Sequence, residues 1–255
     1  MQTPIVIKIG GKFFDVIQSD EQSVNAFFVY LVNLTKQQRQ VVLVHGGGSQ
    51  VTELLSKMGK TSKKIDGLRV TSDEDIDLVT GVLAGQLNKR LAAKCQSLGI
   101  LSTGISLADG GLCQCKTVSD ELGWVGEPTG GKSLLINALF TSCIMPVVAT
   151  IGADEKGNLY NVNADHAALH IAKLLNAELM LLSDVPGVLD AEQNLIEHLD
   201  KTKISQLIAQ SVITDGMAVK VKAAQSAADT LQRNVTIASW FSTEKGTKVS
   251  PENKL

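Results

Sequence analysis

Apolar positions along this chain come in two rhythms. Short unbroken runs mark strands buried on both faces, and runs spaced at three and four residues mark one-sided helices. The first strand spans 4–9 (PIVIKI), with Gly10 and Gly11 directly after it. Phe27, Phe28, Leu31 and Leu34 form the stripe of a helix, and VVLV at 41–44 is a second buried strand. His45, Gly46, Gly47 and Gly48 follow, then a helix carrying Val51, Leu54, Leu55 and Met58. A longer helix with Ser72 as its cap carries Ile76, Val79, Leu83, Leu87 and Leu91. Gly81, Ala84 and Gly85 on it are small enough for close approach, as at a subunit contact.

Further strands are expected at 100–107, 112–118, 145–151, 178–183 and 235–240, with helices at 134–140 and 167–175. A late helix opens at Thr214 and carries Lys220 in its first turns. The alternation of strand and helix predicts an α/β fold with a mainly parallel sheet covered on both faces.

Strand, glycines, helix is the arrangement that turns bare N–H groups and a helix N-terminus toward an anion. Here Gly46–Gly48 end one strand and Gly10–Gly11 another, with Lys8 as a cation inside the first. In open α/β sheets the crevice outside the carboxyl ends of the strands holds the ligand. The basic link from Lys63 to Arg69 is either a lid over an acidic substrate or a solvated loop. In GNLYNVNAD at 157–165, Asn161, Asn163 and Asp165 crowd the start of a helix, and capping accounts for one of the three.

Composition narrows the partners. The chain has 255 residues, 44% of them hydrophobic, and 24 Lys and Arg against 26 Asp and Glu, a net charge of −2. That balance argues against nucleic acid or a membrane surface. No apolar run approaches the roughly 20 residues of a membrane span, and the amino terminus lacks the marks of a signal peptide. The expected compartment is the cytoplasm. Cys95, Cys113, Cys115 and Cys143 show no zinc spacing and read as reduced packing thiols. His166 and His170 are four apart without the third ligand of a metal site, which makes them helix surface.

One motif misleads. GEPTGGKS at 126–133 fits the P-loop pattern, and LMLLSD at 179–184 imitates the strand and Asp that accompany a P-loop. A P-loop follows a buried strand directly, whereas 119–125 is acidic and turn-rich, and Ser133 suits the cap of the next helix.

The motifs KIGG (8–11), HGGG (45–48), GLR (67–69), NVNAD (161–165), SDVPG (183–187) and ITDGMAVK (213–220) come in the order of the amino acid kinase family. The chain resembles that family from the first strand to about Trp240, within it the branch that phosphorylates N-acetyl-L-glutamate. Its 124–133 segment and carboxyl terminus depart from the usual pattern.

The resemblance implies a three-layer αβα sandwich with an acceptor-binding lobe over 1–176 and an ATP-binding lobe over 177–255. It implies transfer from ATP to the side-chain carboxylate of N-acetyl-L-glutamate, the second step of arginine biosynthesis. Mg²⁺ would be carried mainly by the nucleotide phosphates, with no metal ligand from the protein. Lys8 and Lys220 would be catalytic, with Asp165 holding both. Gly47, Gly48, Arg69 and Asn161 would bind the acceptor, and Gly10, Gly11 and Gly46 the phosphates. Asp184, Val185, Pro186, Gly187, Val188, Leu189, Val212, Ile213 and Thr214 would bind the nucleotide.

The resemblance further implies a homodimer. Arginine-inhibited hexameric members carry an extra N-terminal helix, for which a strand starting at Pro4 leaves no room. The alternatives are a kinase for carbamate, glutamate, aspartate or a nucleoside monophosphate, and a non-catalytic sensor on the same fold. Retention of Lys8 and Lys220 disfavours the sensor, because a binder needs no charge aimed at a transition state.

Overall fold

The computed structural model of the chain describes residues 2–19 and 24–252. Asn253–Leu255, the end of the divergent carboxyl terminus, lie outside the described residues. Among the described residues fourteen strands run in chain order. They are β1 Ile5–Ile9, β2 Val41–His45, β3 Lys64–Ile65, β4 Leu68–Arg69, β5 Ser102–Ser106, β6 Gln114–Thr117 and β7 Val125–Thr129, then β8 Met145–Ala149, β9 Ile151–Ala153, β10 Leu159–Val162, β11 Glu178–Ser183, β12 His198–Leu199, β13 Val235–Ser239 and β14 Ser242–Val249. The helices are α1 Lys12–Ser19, α2 Asn25–Lys36, α3 Gly48–Lys57, α4 Asp73–Thr80, α5 Asn88–Ser97, α6 Leu134–Thr141, α7 Ala164–Leu175, α8 Lys201–Ala209 and α9 Asp215–Leu231.

Eight strands make the central sheet, in the order β12-β14-β13-β11-β1-β2-β8-β5. From β13 through β11, β1, β2 and β8 to β5 every pairing is parallel, and β14 is antiparallel to β13. Side chains alternate between two cores. Val6, Val42, Val44, Leu179 and Leu181 face the layer that holds α7 and α9. Ile5, Ile7, Ile9, Leu43, Met180 and Leu182 face the layer that holds α2, with Phe27, Phe28, Leu31 and Leu34 as expected from the sequence. The same parity puts Lys8 on the face covered by α7. A smaller sheet, β6-β7-β10-β9, stands beside the large one, and β3 and β4 form a hairpin.

Three local details differ from the sequence reading. Residues Gly81–Leu87, between α4 and α5, are wound as a π-helix. The stripe Val79, Leu83, Leu87, Leu91 explains it: each step of four residues overruns an α-helical turn by about 40°, and a wider winding keeps the leucines on one face. Ser72 occupies the cap position of α4, but its hydroxyl donates to Asp75 at 2.8 Å instead of accepting a backbone N–H. All four cysteines are free thiols, yet only Cys95, Cys113 and Cys115 are buried, and Cys143 is exposed.

Candidate active site

Polar groups gather at the carboxyl ends of β1 and β2. A cavity of about 210 Å³ is lined there by Lys8, Gly10, Gly11, Gly46–Gly48, Arg69, Asn161 and Asp165, with Lys64 and Gly67 from the hairpin above. The basic link from Lys63 to Arg69 is therefore a built wall of the cavity. Asp66 and Gly67 turn it with φ of 49° and 82°, the twist a two-residue hairpin needs.

Gly11, Gly46 and Gly47 are required by proximity, whereas a Cβ at Gly10 would meet nothing within 4 Å. None of Gly10, Gly11, Gly46, Gly47 and Gly48 has a positive φ in the left-handed range. A Cβ at Gly47 would collide with Leu87 and lie 2.6 Å from Leu83, both on the π-helical segment. One at Gly11 would lie 3.0 Å from the Gly48 nitrogen, and one at Gly46 would lie 3.3 Å from Ala164. Gly11 thus meets the Gly48 backbone, and Gly46 meets the Ala164 side chain at the start of α7.

His45 fixes the loop from beneath. It is fully buried and its pKa falls to about 4, because burial disfavours the imidazolium. Nδ1 faces the Gly46 carbonyl at 2.9 Å and Nε2 faces the Asn88 amide nitrogen at 3.1 Å. The network assigns a neutral ring that donates from Nδ1 and accepts at Nε2. Asn88 donates also to the carbonyls of Val147 and Ile105. No pattern in the sequence marked Asn88, whose pairing with His45 depends on the fold.

Arg69 is 7% exposed, and burial pulls its pKa below the ordinary guanidinium value. Its Nη2 donates to the Gly48 carbonyl at 2.5 Å and to Thr52 at 2.7 Å, and Nη1 donates to Ser62. Three of five donors are so engaged, which sets the guanidinium and leaves two N–H groups for a ligand. Asn161 donates to Thr71 Oγ1 at 3.2 Å, and that hydroxyl donates to the Arg69 carbonyl at 3.1 Å. The two acceptor-site candidates are therefore linked through one threonine.

Asn163 is the cap of α7, accepting from the N–H groups of Asp165 and His166. That leaves Asp165 free to bind Lys8, whose Nζ lies 2.9 Å from Oδ1. Lys220 reaches a different carboxylate, Asp184, at 3.7 Å. The expected single Asp between both lysines is thus two: the lysines come from opposite ends of the chain, and each meets the nearest carboxylate of its own half. Lys12 also binds Asp184, at 2.8 Å, and holds its carboxyl below the usual carboxylate range.

After Asp184 the chain turns at Pro186 and Gly187, where φ is 147° and Leu195 and Thr247 stand close. The Val188 N–H donates to the buried Thr247 hydroxyl at 2.8 Å. Val185 and Leu189 flank that turn, Leu189 bridging Leu195, while Val188 and Ile213 share one buried cluster. Val212 and Ile213 close α8 through the Leu207 carbonyl, and Thr214 starts α9. Thr247 and β14 were not foreseen as part of this region.

Residues 127–131 of the look-alike motif border a different cavity, which Asp165 also lines. Gly126 lies inside β7, and Gly130 and Gly131 turn at its end toward α6. The strand is part of the small sheet and the glycines do not line the cavity with Lys8. Ser133 precedes α6 without a side-chain cap bond. His166 contacts Glu127 at 2.7 Å, and His170 donates to the Leu112 carbonyl.

Two glycine loops at the carboxyl ends of β1 and β2, the helices that follow them and the Lys8–Asp165 pair define an α/β protein with a polar cavity at its strand ends. The family model described as "Amino acid kinase family" matches residues 3–239. The acetylglutamate kinase of Aliivibrio fischeri strain MJ11 is 45% identical over 245 residues, covering 96% of this chain and 93% of that protein. The acetylglutamate kinase of Vibrio cholerae O395 is 45% identical over 247 residues, covering 97% and 93%. Among solved structures, smu.665 of Streptococcus mutans UA159 superposes with a TM-score of 0.82 at 28% identity, covering 98% of this chain and 99% of that one. The chain belongs to the amino acid kinase family.

Proposed function

We propose that this chain transfers the γ-phosphoryl group of ATP to the side-chain carboxylate of N-acetyl-L-glutamate. The products are N-acetyl-L-glutamyl 5-phosphate and ADP, and the reaction is the second step of arginine biosynthesis. The observation that carries this reading is the small cavity that joins a buried, half-committed arginine to a lysine at the glycine loops. The two relatives named above carry the name acetylglutamate kinase, and the likeness spans nearly the whole chain.

A side-chain carboxylate has a pKa near 4.3 and is already a nucleophile at neutral pH, so no base is required. The protein's work is to align two anions and offset charge that spreads over the phosphoryl oxygens. In this reading Arg69, Asn161, Gly47 and Gly48 hold the acceptor, and Lys8 and Lys220 stabilise the transition state. Asp165 orients Lys8. Residues 1–176 form the acceptor lobe and 177–255 the nucleotide lobe of one sheet, with Asp184–Leu189 and Val212–Thr214 beside ATP.

Mg²⁺ belongs to the same proposal. Among the described residues no group of three His, Cys, Asp or Glu side chains could hold a metal, and Asp165 and Asp184 each face lysine. That donor set suits an ion carried by the nucleotide's own oxygens. A homodimer is proposed with the exposed face at Gly81 and Gly85 as the contact, where no atom stands within 4 Å of either glycine's would-be Cβ. Among the described residues no helix is long and apolar enough to cross a membrane. The proposed compartment is the cytoplasm.

ADP release measured over acetylglutamate, glutamate, aspartate, carbamate and UMP tests the reading. Turnover on acetylglutamate at least tenfold above every other acceptor supports it. Preference for another acceptor, or acetylglutamate binding without ADP release, rejects it.

A further inference from the structure

Lys12 opens α1 directly after Gly10 and Gly11, the glycines that line the cavity. Its side chain crosses to the other half of the sheet, where Nζ lies 2.8 Å from Asp184 Oδ2. The second oxygen of the same carboxylate faces Lys220 Nζ at 3.7 Å. Asp184 is therefore flanked by one lysine from each half.

The charge balance there is uneven. Among the described residues Lys8 is the one cation paired with Asp165, whereas Lys12 and Lys220 share Asp184. In the function proposed above Asp184 stands beside the triphosphate, and an unscreened carboxylate at that point repels it. Lys12 is 73% exposed, so its ion pair is screened by water and is easily exchanged for a stronger one. Its four-carbon stem swings freely, and its ammonium is a compact point charge suited to phosphate oxygens. Asp184 raises the lysine's pKa further, which keeps the cation charged throughout the neutral range.

We propose that Lys12 is a phosphate-binding residue for the nucleotide. On ATP binding its ammonium leaves Asp184 and takes an oxygen of the β- or γ-phosphate, while Asp184 stays with Lys220. The nucleotide's terminal phosphates are then gripped by lysines from three elements, β1, α1 and α9. This contact is made before transfer and persists through it, so it contributes uniform binding. The inference rests on ATP being the phosphoryl donor.

Two experiments on the full-length chain decide it. In steady-state assays Lys12→Met is expected to raise the KM for ATP about tenfold, with kcat and the KM for acetylglutamate within about threefold of wild type. Lys12→Arg, which restores the charge, is expected to recover most of the loss. In equilibrium titrations without acceptor, Lys12→Met is expected to weaken ATP and inorganic tripolyphosphate about tenfold and leave adenosine unchanged. A structural role for the Lys12–Asp184 pair predicts instead equal losses for ATP and adenosine, together with a lower melting temperature, and that result overturns the proposal. Unchanged ATP affinity overturns it as well. If the wild type releases no ADP, the functional reading fails, and the titrations still decide the role of Lys12.

Discussion

On the proposed acceptor side of the cleft, the groups that face an anion are held by packing. Gly47 is wedged against Leu83 and Leu87, His45 is buried under the loop, and Arg69 is fixed by three donors to its surroundings. On the proposed nucleotide side they are held by charge. Lys12 and Lys220 gather around Asp184 with side chains 73%, 40% and 35% exposed. A packed site is paid for when the protein folds, and it discriminates by shape. A charged, open site rearranges when its ligand arrives. Substitutions on the first side should therefore register in stability or acceptor binding, and those on the second in nucleotide affinity and rate.

The two lysines proposed to stabilise the transition state come from opposite sides and are the strongest test of where that division ends. A preorganised donor where charge develops is worth about 3–4 kcal/mol, or on the order of 10²–10³ in rate. Lys8→Met and Lys220→Met are each expected to lower kcat by that factor, with smaller effects on acetylglutamate binding. Arg69→Ala is expected to act mainly on the acceptor KM, because it grips a carboxylate that does not react. Steady-state kinetics with both substrates varied would show it. Full turnover in both lysine variants would dissolve the assignment.

Stability against pH separates the sides next. His45 titrates at about 4 in the folded chain and near 6.5 when unfolded. The unfolded chain thus binds the proton first, so stability is complete above pH 6.5 and falls as pH drops from 6.5 toward 4. The loss is roughly 3 kcal/mol. Urea unfolding at pH 7.5 and 4.5 measures it, and His45→Gln is expected to flatten the difference. An equally steep loss in that variant would place the acid sensitivity elsewhere.

A smaller effect is expected from the glycines. Gly47→Ala drives a methyl into Leu83 and Leu87, and overpacking of this kind costs about 1–3 kcal/mol. Gly10→Ala meets nothing within 4 Å and is expected to leave stability nearly unchanged. Melting temperatures of the pair test whether proximity or backbone freedom explains the loop. Equal losses would favour backbone freedom.

What the sequence revealed follows the same division. Buried parallel strands are legible because both faces are apolar, and β11 at Glu178–Ser183 lies where its run predicts. The glycine loops, Lys8 and Asp165 are legible because the chemistry sits next to a strand end. β14 is not: STEKGTKV has no apolar alternation, and it buries Thr243, Thr247 and Val249 only because β13 lies alongside. Asn88 and Thr247 are ordinary polar residues until the fold brings them to His45 and Val188. The two separate carboxylates for Lys8 and Lys220 likewise depend on strand order, since β11 is inserted beside β1.

The P-loop look-alike at 126–133 yields the smallest expected effect and the clearest negative control. A functioning P-loop needs its glycines between the end of a buried parallel strand and a helix N-terminus, with the lysine turned back onto the phosphates. Here the first glycine is inside β7, where a Cβ would press on Cys115 and Tyr160, so Gly126 serves sheet packing. The Lys132 N–H is spent on the Gly111 carbonyl, and Lys132 does not line the cavity beside Lys8. Its side chain is exposed. Lys132→Ala is therefore expected to leave kcat and the KM for ATP within about threefold of wild type, against the 10²–10³ expected at Lys220. Loss of ATP binding in Lys132→Ala, with Lys220→Met unaffected, would move the nucleotide from α9 to α6 and reverse the assignment of the two sides.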